Sequence, residues 1–119
     1  MPVRSLTSSV LKWPDPETVD RAVRKWVNEE VKKHGELRRL GYFGSYTGSN
    51  WGVGSDLDLI AIVANTSEPF ERRNLSWDLG PLPVHADLLI YTEDEWKKLH
   101  KKGGRFIQTL NLETVWIYP

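Results

Sequence analysis

Residues 57 to 63 read Leu-Asp-Leu-Ile-Ala-Ile-Val, an apolar, β-branched run broken once, by Asp58. Such a run favours a buried strand, whose sheet must be covered by packed layers such as helices. The rest of the chain can supply them. Asp15 is placed to cap a helix whose first position is Pro16. Val19, Ala22, Val23, Trp26, Val27 and Val31 recur at helical spacing, with Arg21, Arg24, Lys25 and Lys32 elsewhere around the wheel. Gly35 is the expected terminator, after a basic last turn. Leu37 to Phe43 reads as the first strand, ending at Gly44-Ser45, and a loop rich in Gly and Ser runs on to Ser55. Pro69 to Trp77 reads as a short helix, broken by Gly80-Pro81-Leu82-Pro83. Val84 to Tyr91 reads as another strand, carrying Asp87. Thr92 and Glu95 make a capping box for a helix reaching about Lys102. Gly103-Gly104 end it, and Val115 to Tyr118 read as the last strand. Residues 1 to 14 read as irregular. The expected fold is α/β (α+β), one mixed β-sheet of about four strands packed with helices, and residues 1–119 are expected to form a single domain.

Composition narrows the function classes. A chain of 119 residues suffices for one ordinary domain, not two. Sixteen basic and sixteen acidic residues cancel, so no global positive field recruits a nucleic-acid backbone. The absence of cysteine excludes disulfides, thiolate metal sites and cysteine nucleophiles. No apolar run has the length of a signal peptide or a membrane span. The expectation is a cytoplasmic protein with no membrane partner.

Three carboxylates do not fit an apolar core. Asp56 and Asp58 bracket Leu57 at the head of its strand, and side chains two apart on a strand point the same way. Two like charges there repel and resist burial unless a cation lies between them. Hard divalent ions such as Mg²⁺ take oxygen ligands, usually one or two carboxylates plus substrate phosphates. For an isolated Asp-x-Asp, a solvated strand end is the plainer reading. Ser45 stands eleven positions before Asp56, behind Gly44. There Gly lets the backbone approach a phosphate, and Ser offers a hydroxyl and an N–H, although Gly-Ser alone is an ordinary turn. Asp87, inside Val84-His85-Ala86-Asp87-Leu88-Leu89-Ile90, needs a partner or an ion. An Arg or Lys partner is one solution; a place beside Asp56 and Asp58 is the other. His85 shares a strand face with Asp87, where a satisfied structural histidine is the preferred reading. His34 and His100 sit near helix ends, where a basic residue suits the dipole, and are assigned no role.

The stretch Gly44-Ser45-Tyr46-Thr47-Gly48-Ser49-Asn50-Trp51-Gly52-Val53-Gly54-Ser55-Asp56-Leu57-Asp58 resembles the signature of the minimal nucleotidyltransferases, in the DNA polymerase β superfamily. In that family a strand ends in Gly-Ser, a loop of fixed length follows, and Ser-Asp-x-Asp opens the next strand; a third Asp lies on a later apolar strand, where Asp87 stands. The resemblance implies that Asp56, Asp58 and Asp87 are catalytic and hold Mg²⁺ or Mn²⁺. It implies that Gly44, Ser45 and Ser55 bind the nucleotide, and that a nucleoside monophosphate passes from an NTP, ATP foremost, to an acceptor hydroxyl. Tyr46 and Gly48 stand where many members carry basic residues, and Ser49 where they carry Gly. Positive help for the triphosphate is then expected from elsewhere, such as Arg38, Arg39, Arg72 or Arg73, or from the metals alone.

Because the chain ends soon after the core, the acceptor is expected on a partner protein or a second copy. Small members of the family commonly pair with an all-helical HEPN-type partner in toxin–antitoxin modules, sometimes adding AMP to its tyrosine. The specific expectation is such an antitoxin. The alternative is a catalytically weak or inactive binding subunit that neutralises its partner by contact. Six tryptophans are read as a sign of an interface; Trp51 either stacks on a base or packs against its loop, the latter being preferred.

Overall fold

The structure, a computed structural model, describes residues 14–48, 51–52 and 54–119. The expectations for residues 1 to 13, which include Trp13, and for Ser49 lie outside the described residues. Helix α1 (Pro16–Lys33) starts as its sequence requires, with the Asp15 carboxylate accepting the Thr18 N–H at 2.8 Å. Its C-cap is His34, and Gly35 beyond it does not take the positive φ of a terminating glycine. Strands β1 (Leu37–Phe43) and β2 (Leu57–Val63) occupy the expected spans. Strand β3 (Ala86–Thr92) begins two residues later than expected, which leaves Val84 and His85 in the approach to it. Helix α2 (Glu93–Lys102) carries both halves of the Thr92/Glu95 capping box. Strand β4 (Val115–Tyr118) closes the sheet.

Two elements differ from expectation. The short helix between β2 and β3 is a 3₁₀ segment, Phe70–Ser76, with no side-chain cap and no buried residue to lengthen it into an α-helix. A further helix, α3 (Arg105–Glu113), follows Gly104 without a side-chain cap and buries only Ile107 and Leu110.

The strand order is β3-β2-β1-β4, with β2 and β3 parallel and the other pairs antiparallel. Alternation divides β2 between two faces. Leu57, Leu59, Ala61 and Val63 meet Val19, Val23, Trp26 and Val27 of α1. Ile60 and Ile62 face the other way, onto Ile107 and Leu110, with Trp96, Leu99 and Trp116 at the margin. Asp58 shares this second face, at the head of the strand, opposite Phe43 at the margin of the cluster.

The connection from β2 to β3 touches both layers. Phe70 packs on Tyr91 at 5.3 Å, beside the α2 and α3 cluster, whereas Trp77 and Leu82 enter the α1 core. Trp77 stacks on His34 at 3.7 Å, and the Trp26 indole N–H donates to the Asp78 carbonyl at 2.7 Å. His34 is therefore a core residue in addition to a helix end. Trp26 and Trp77 are buried, and Trp51, Trp96 and Trp116 pack against the two clusters. The reading of tryptophan as an interface signal is corrected for these five: they fill the layers on either side of the sheet. No helix among the described residues is long and apolar enough to cross a membrane.

Candidate active site

The parallel pairing of β2 with β3 builds the site. Its register sets Leu57 opposite Ala86 and Asp58 opposite Asp87. The Leu57 N–H donates to the His85 carbonyl at 2.8 Å, which carries the alignment one residue further back and brings His85 beside Asp56. Side chains two apart share a face, and neighbouring strands lie about 4.8 Å apart. Asp56, Asp58, His85 and Asp87 thus form the corners of one patch at the end of the sheet.

Ligand atoms of Asp56, His85 and Asp87 all lie within 4.8 Å of one another, and His85 Nδ1 is 3.4 Å from Asp56 Oδ1. Asp58 is half-buried, and burial, then the charges of Asp87 and Asp56, push its carboxyl above the usual range. Among the described residues no Lys or Arg forms an ion pair with any of these three carboxylates. Among the described residues, the Arg or Lys partner considered for Asp87 is not found. Crowded oxygen donors without a protein cation, with an imidazole alongside, fit a divalent metal ion. The side chain of His85 is 72% exposed, which overturns the expectation of a satisfied structural histidine.

Gly44 has φ +85°, and a Cβ on it would overlap Asp58 Oδ2. The room left by the missing side chain is taken by that carboxylate. Gly44 opens a 3₁₀ turn, Gly44–Thr47, in which the Thr47 hydroxyl donates to the Gly44 carbonyl at 2.7 Å. Ser45 sits on this turn and, with Gly44, Thr47, Gly48 and Glu113, lines a cavity of about 390 Å³. Ser55 closes the loop: its Oγ accepts the Gly52 N–H at 2.8 Å, and its own N–H donates to the Gly52 carbonyl at 3.0 Å. Tyr46 is 2% exposed and its ring stacks on Trp51, at 6.3 Å between centroids. A core residue thus occupies a position where many minimal nucleotidyltransferases carry a basic one, and Trp51 packs against its loop.

A second cavity, of about 400 Å³, is lined by Asp58 and Asp87 together with Phe43, Phe70, Glu71, Asn74, Leu88 and Leu89. Among the described residues, neither cavity is lined by Lys or Arg. Each of the four arginines considered for the triphosphate has another group beside it. Arg39 lies over the Trp116 ring at 3.8 Å, and it pairs in register with Ile62, about 13 Å along β2 from Asp58. Arg38 faces Glu93 at 3.7 Å, and Arg72 faces Glu68 at 3.9 Å. Arg73 grips both Glu95 oxygens, at 2.6 and 3.0 Å, and also donates to the Glu68 and Ile90 carbonyls. Glu71, Asn74 and Glu113 escaped the sequence reading because only the fold brings them to the cavity walls.

A family model described as nucleotidyltransferase domain matches residues 24–111. Among solved structures, the crystal structure at 1.40 Å resolution of a Sulfolobus solfataricus protein, proposed to be a nucleotidyltransferase, superposes with a TM-score of 0.60. The two chains are 14% identical, with 85% of this chain and 80% of that one covered. At that identity the likeness shows the fold. No curated protein matches the chain.

Proposed function

This chain belongs to the nucleotidyltransferase domain family, and on that premise we propose that it moves a nucleoside monophosphate, AMP from ATP foremost, onto an acceptor hydroxyl. The observation that carries the proposal is the convergence of Asp56, Asp58 and Asp87, with no Lys or Arg paired to them among the described residues. Asp56, Asp58 and Asp87 are the catalytic and metal-holding residues in this reading. Bound there, Mg²⁺ or Mn²⁺ supplies neutralisation of the charge that develops between the attacking oxygen and the leaving pyrophosphate. Gly44 and Ser45 hold the phosphates through the N–H groups of their turn and the Ser45 hydroxyl. Ser55, whose Oγ accepts the Gly52 N–H, completes these contacts. The acceptor oxygen attacks the α-phosphorus, the bond to pyrophosphate breaks, and the hydroxyl proton passes to Asp87, the exposed carboxylate of the β2–β3 pair.

The reading extends to the acceptor. It is a hydroxyl, such as a tyrosine, on a HEPN-type helical partner or on a second copy, which makes this single-domain chain a cytoplasmic antitoxin. Its support is the motif together with the exposed Phe106 and Leu112 on α3; Phe106 meets Phe43, at the wall of the Asp58 and Asp87 cavity, at 6.3 Å. A second reading, a subunit that neutralises its partner by contact alone, is favoured by the absence of Lys and Arg among the described residues of both cavity walls.

The Asp87→Asn variant separates the two. Labelled AMP transfer and partner inhibition are measured side by side. Transfer is expected to fall at least about a hundredfold while nucleotide affinity changes far less, because the proton acceptor is needed mainly in the transition state. Full neutralisation by a variant that transfers nothing refutes the enzymatic account.

A further inference from the structure

We propose that His85 is itself a ligand of this metal site and makes it favour a transition ion, Mn²⁺ or Co²⁺, over Mg²⁺. The proposal rests on the nucleotidyl-transfer reading only for the presence of a metal. The three side chains that converge most closely are two carboxylates and one imidazole, Asp56, Asp87 and His85; Asp58 stands outside that set. The 3.4 Å between His85 Nδ1 and Asp56 Oδ1 lies within the span of two ligand atoms sharing one ion at bonds of about 2.1 Å. The position of His85 is built into the fold. Its carbonyl accepts the Leu57 N–H at 2.8 Å, holding the residue at the head of β3, and alternation turns its side chain to the face of Asp87. Core packing does not account for it, since the side chain is 72% exposed, and its ion-pair neighbour among the described residues is Asp56. Imidazole suits first-row transition ions, whereas Mg²⁺ prefers an all-oxygen set. An imidazole in the place of one carboxylate or water therefore tilts the choice of ion.

The test titrates the full chain with CoCl₂, MnCl₂ or MgCl₂ alone, by calorimetry and, for Co²⁺, by visible absorption. Any carboxylate site binds these ions in roughly the same order, so the informative quantity is the change on substitution. His85→Ala is expected to weaken Co²⁺ and Mn²⁺ about tenfold, alter the Co²⁺ spectrum, and leave Mg²⁺ within about twofold. His85→Asp, which makes the set all oxygen, is expected to narrow the preference for Co²⁺ over Mg²⁺. Equal loss for all three ions in His85→Ala, or unchanged Co²⁺ binding and spectrum, overturns the proposal. If Asp56→Asn abolishes metal binding while His85→Ala changes nothing, only the ligand role of His85 falls. If the parent protein takes up none of the ions and transfers no label from ATP, the transfer reading falls with it.

Discussion

Gly44→Ala is expected to destabilise the metal-free protein by about 2–4 kcal/mol, in two parts that can be measured apart. The first belongs to the backbone: at φ +85° a residue with a Cβ costs about 1–2 kcal/mol more than glycine. The second belongs to Asp58, whose Oδ2 occupies the space the new methyl group needs. That carboxylate is half-buried between Phe43 on β1 and Asp87 on β3, so it cannot swing away freely. Forcing it off its rotamer or displacing its neighbours costs a further 1–2 kcal/mol or so. In an Asp58→Ala background the second part disappears and Gly44→Ala should cost only the first. Asp58→Ala alone should be neutral or mildly stabilising without metal, because it removes one of three mutually repelling carboxylates. Urea unfolding of the parent, both single variants and the double variant, all with chelator, closes the cycle. A coupling of about 1–2 kcal/mol is expected. Additivity within about 0.5 kcal/mol would show that Gly44 is not there to admit Asp58.

Asp56→Asn and Asp58→Asn should each abolish Mg²⁺-dependent nucleotide binding, followed by calorimetry, without lowering the metal-free melting temperature; a large drop in melting would make these residues structural. Acid unfolding should report the Arg73–Glu95 pair. Its hydrogen bonds with Arg73 hold the Glu95 carboxyl down from 4.5 to about 2, so its contribution is complete above pH 4.5 and is lost as pH falls towards 2. The full displacement corresponds to about 3.4 kcal/mol, which solvent screening of a carboxylate 41% exposed reduces to about 1–2 kcal/mol. Arg73→Met should remove that part of the pH dependence, measured as the slope of unfolding free energy below pH 4.5.

The parts of the fold legible in the sequence are those whose signals are local. Asp15-Pro16, the Thr92/Glu95 box and the apolar run of β2 each act within a few residues, and each appears where expected. Helix α3 was not legible, because Gly104 offers no cap and two buried side chains leave too short a pattern. Glu30 is 2% exposed in the apolar stripe of α1, four residues after Trp26, where its charge disguised a core position. In the candidate site, the shared face of Asp56 and Asp58 follows from strand alternation alone. The pairing of Asp58 with Asp87 follows from a parallel register between strands far apart in the chain, which no local pattern encodes. The cations are harder still, since a basic residue advertises its charge but not its partner. Arg73 is bound to Glu95, Ile90 and Glu68, and none of those three contacts is visible in the residues around it.

The contact of Arg73 with Ile90 bears on how the protein keeps apart from other chains. Strand β3 forms one border of the sheet, and an exposed border strand is a template for strand addition, the step that begins cross-β aggregation. The Arg73 guanidinium occupies the Ile90 carbonyl on that strand at 3.0 Å, and Phe70 covers the neighbouring Tyr91. An incoming strand would have to displace an arginine clamped by a carboxylate before it could pair there. The opposite border, β4, is guarded differently: it is only four residues long, too short to seed an extended ladder. The connection that brings Phe70 and Asn74 to the Asp58 and Asp87 cavity therefore also serves as a guard rail for the sheet.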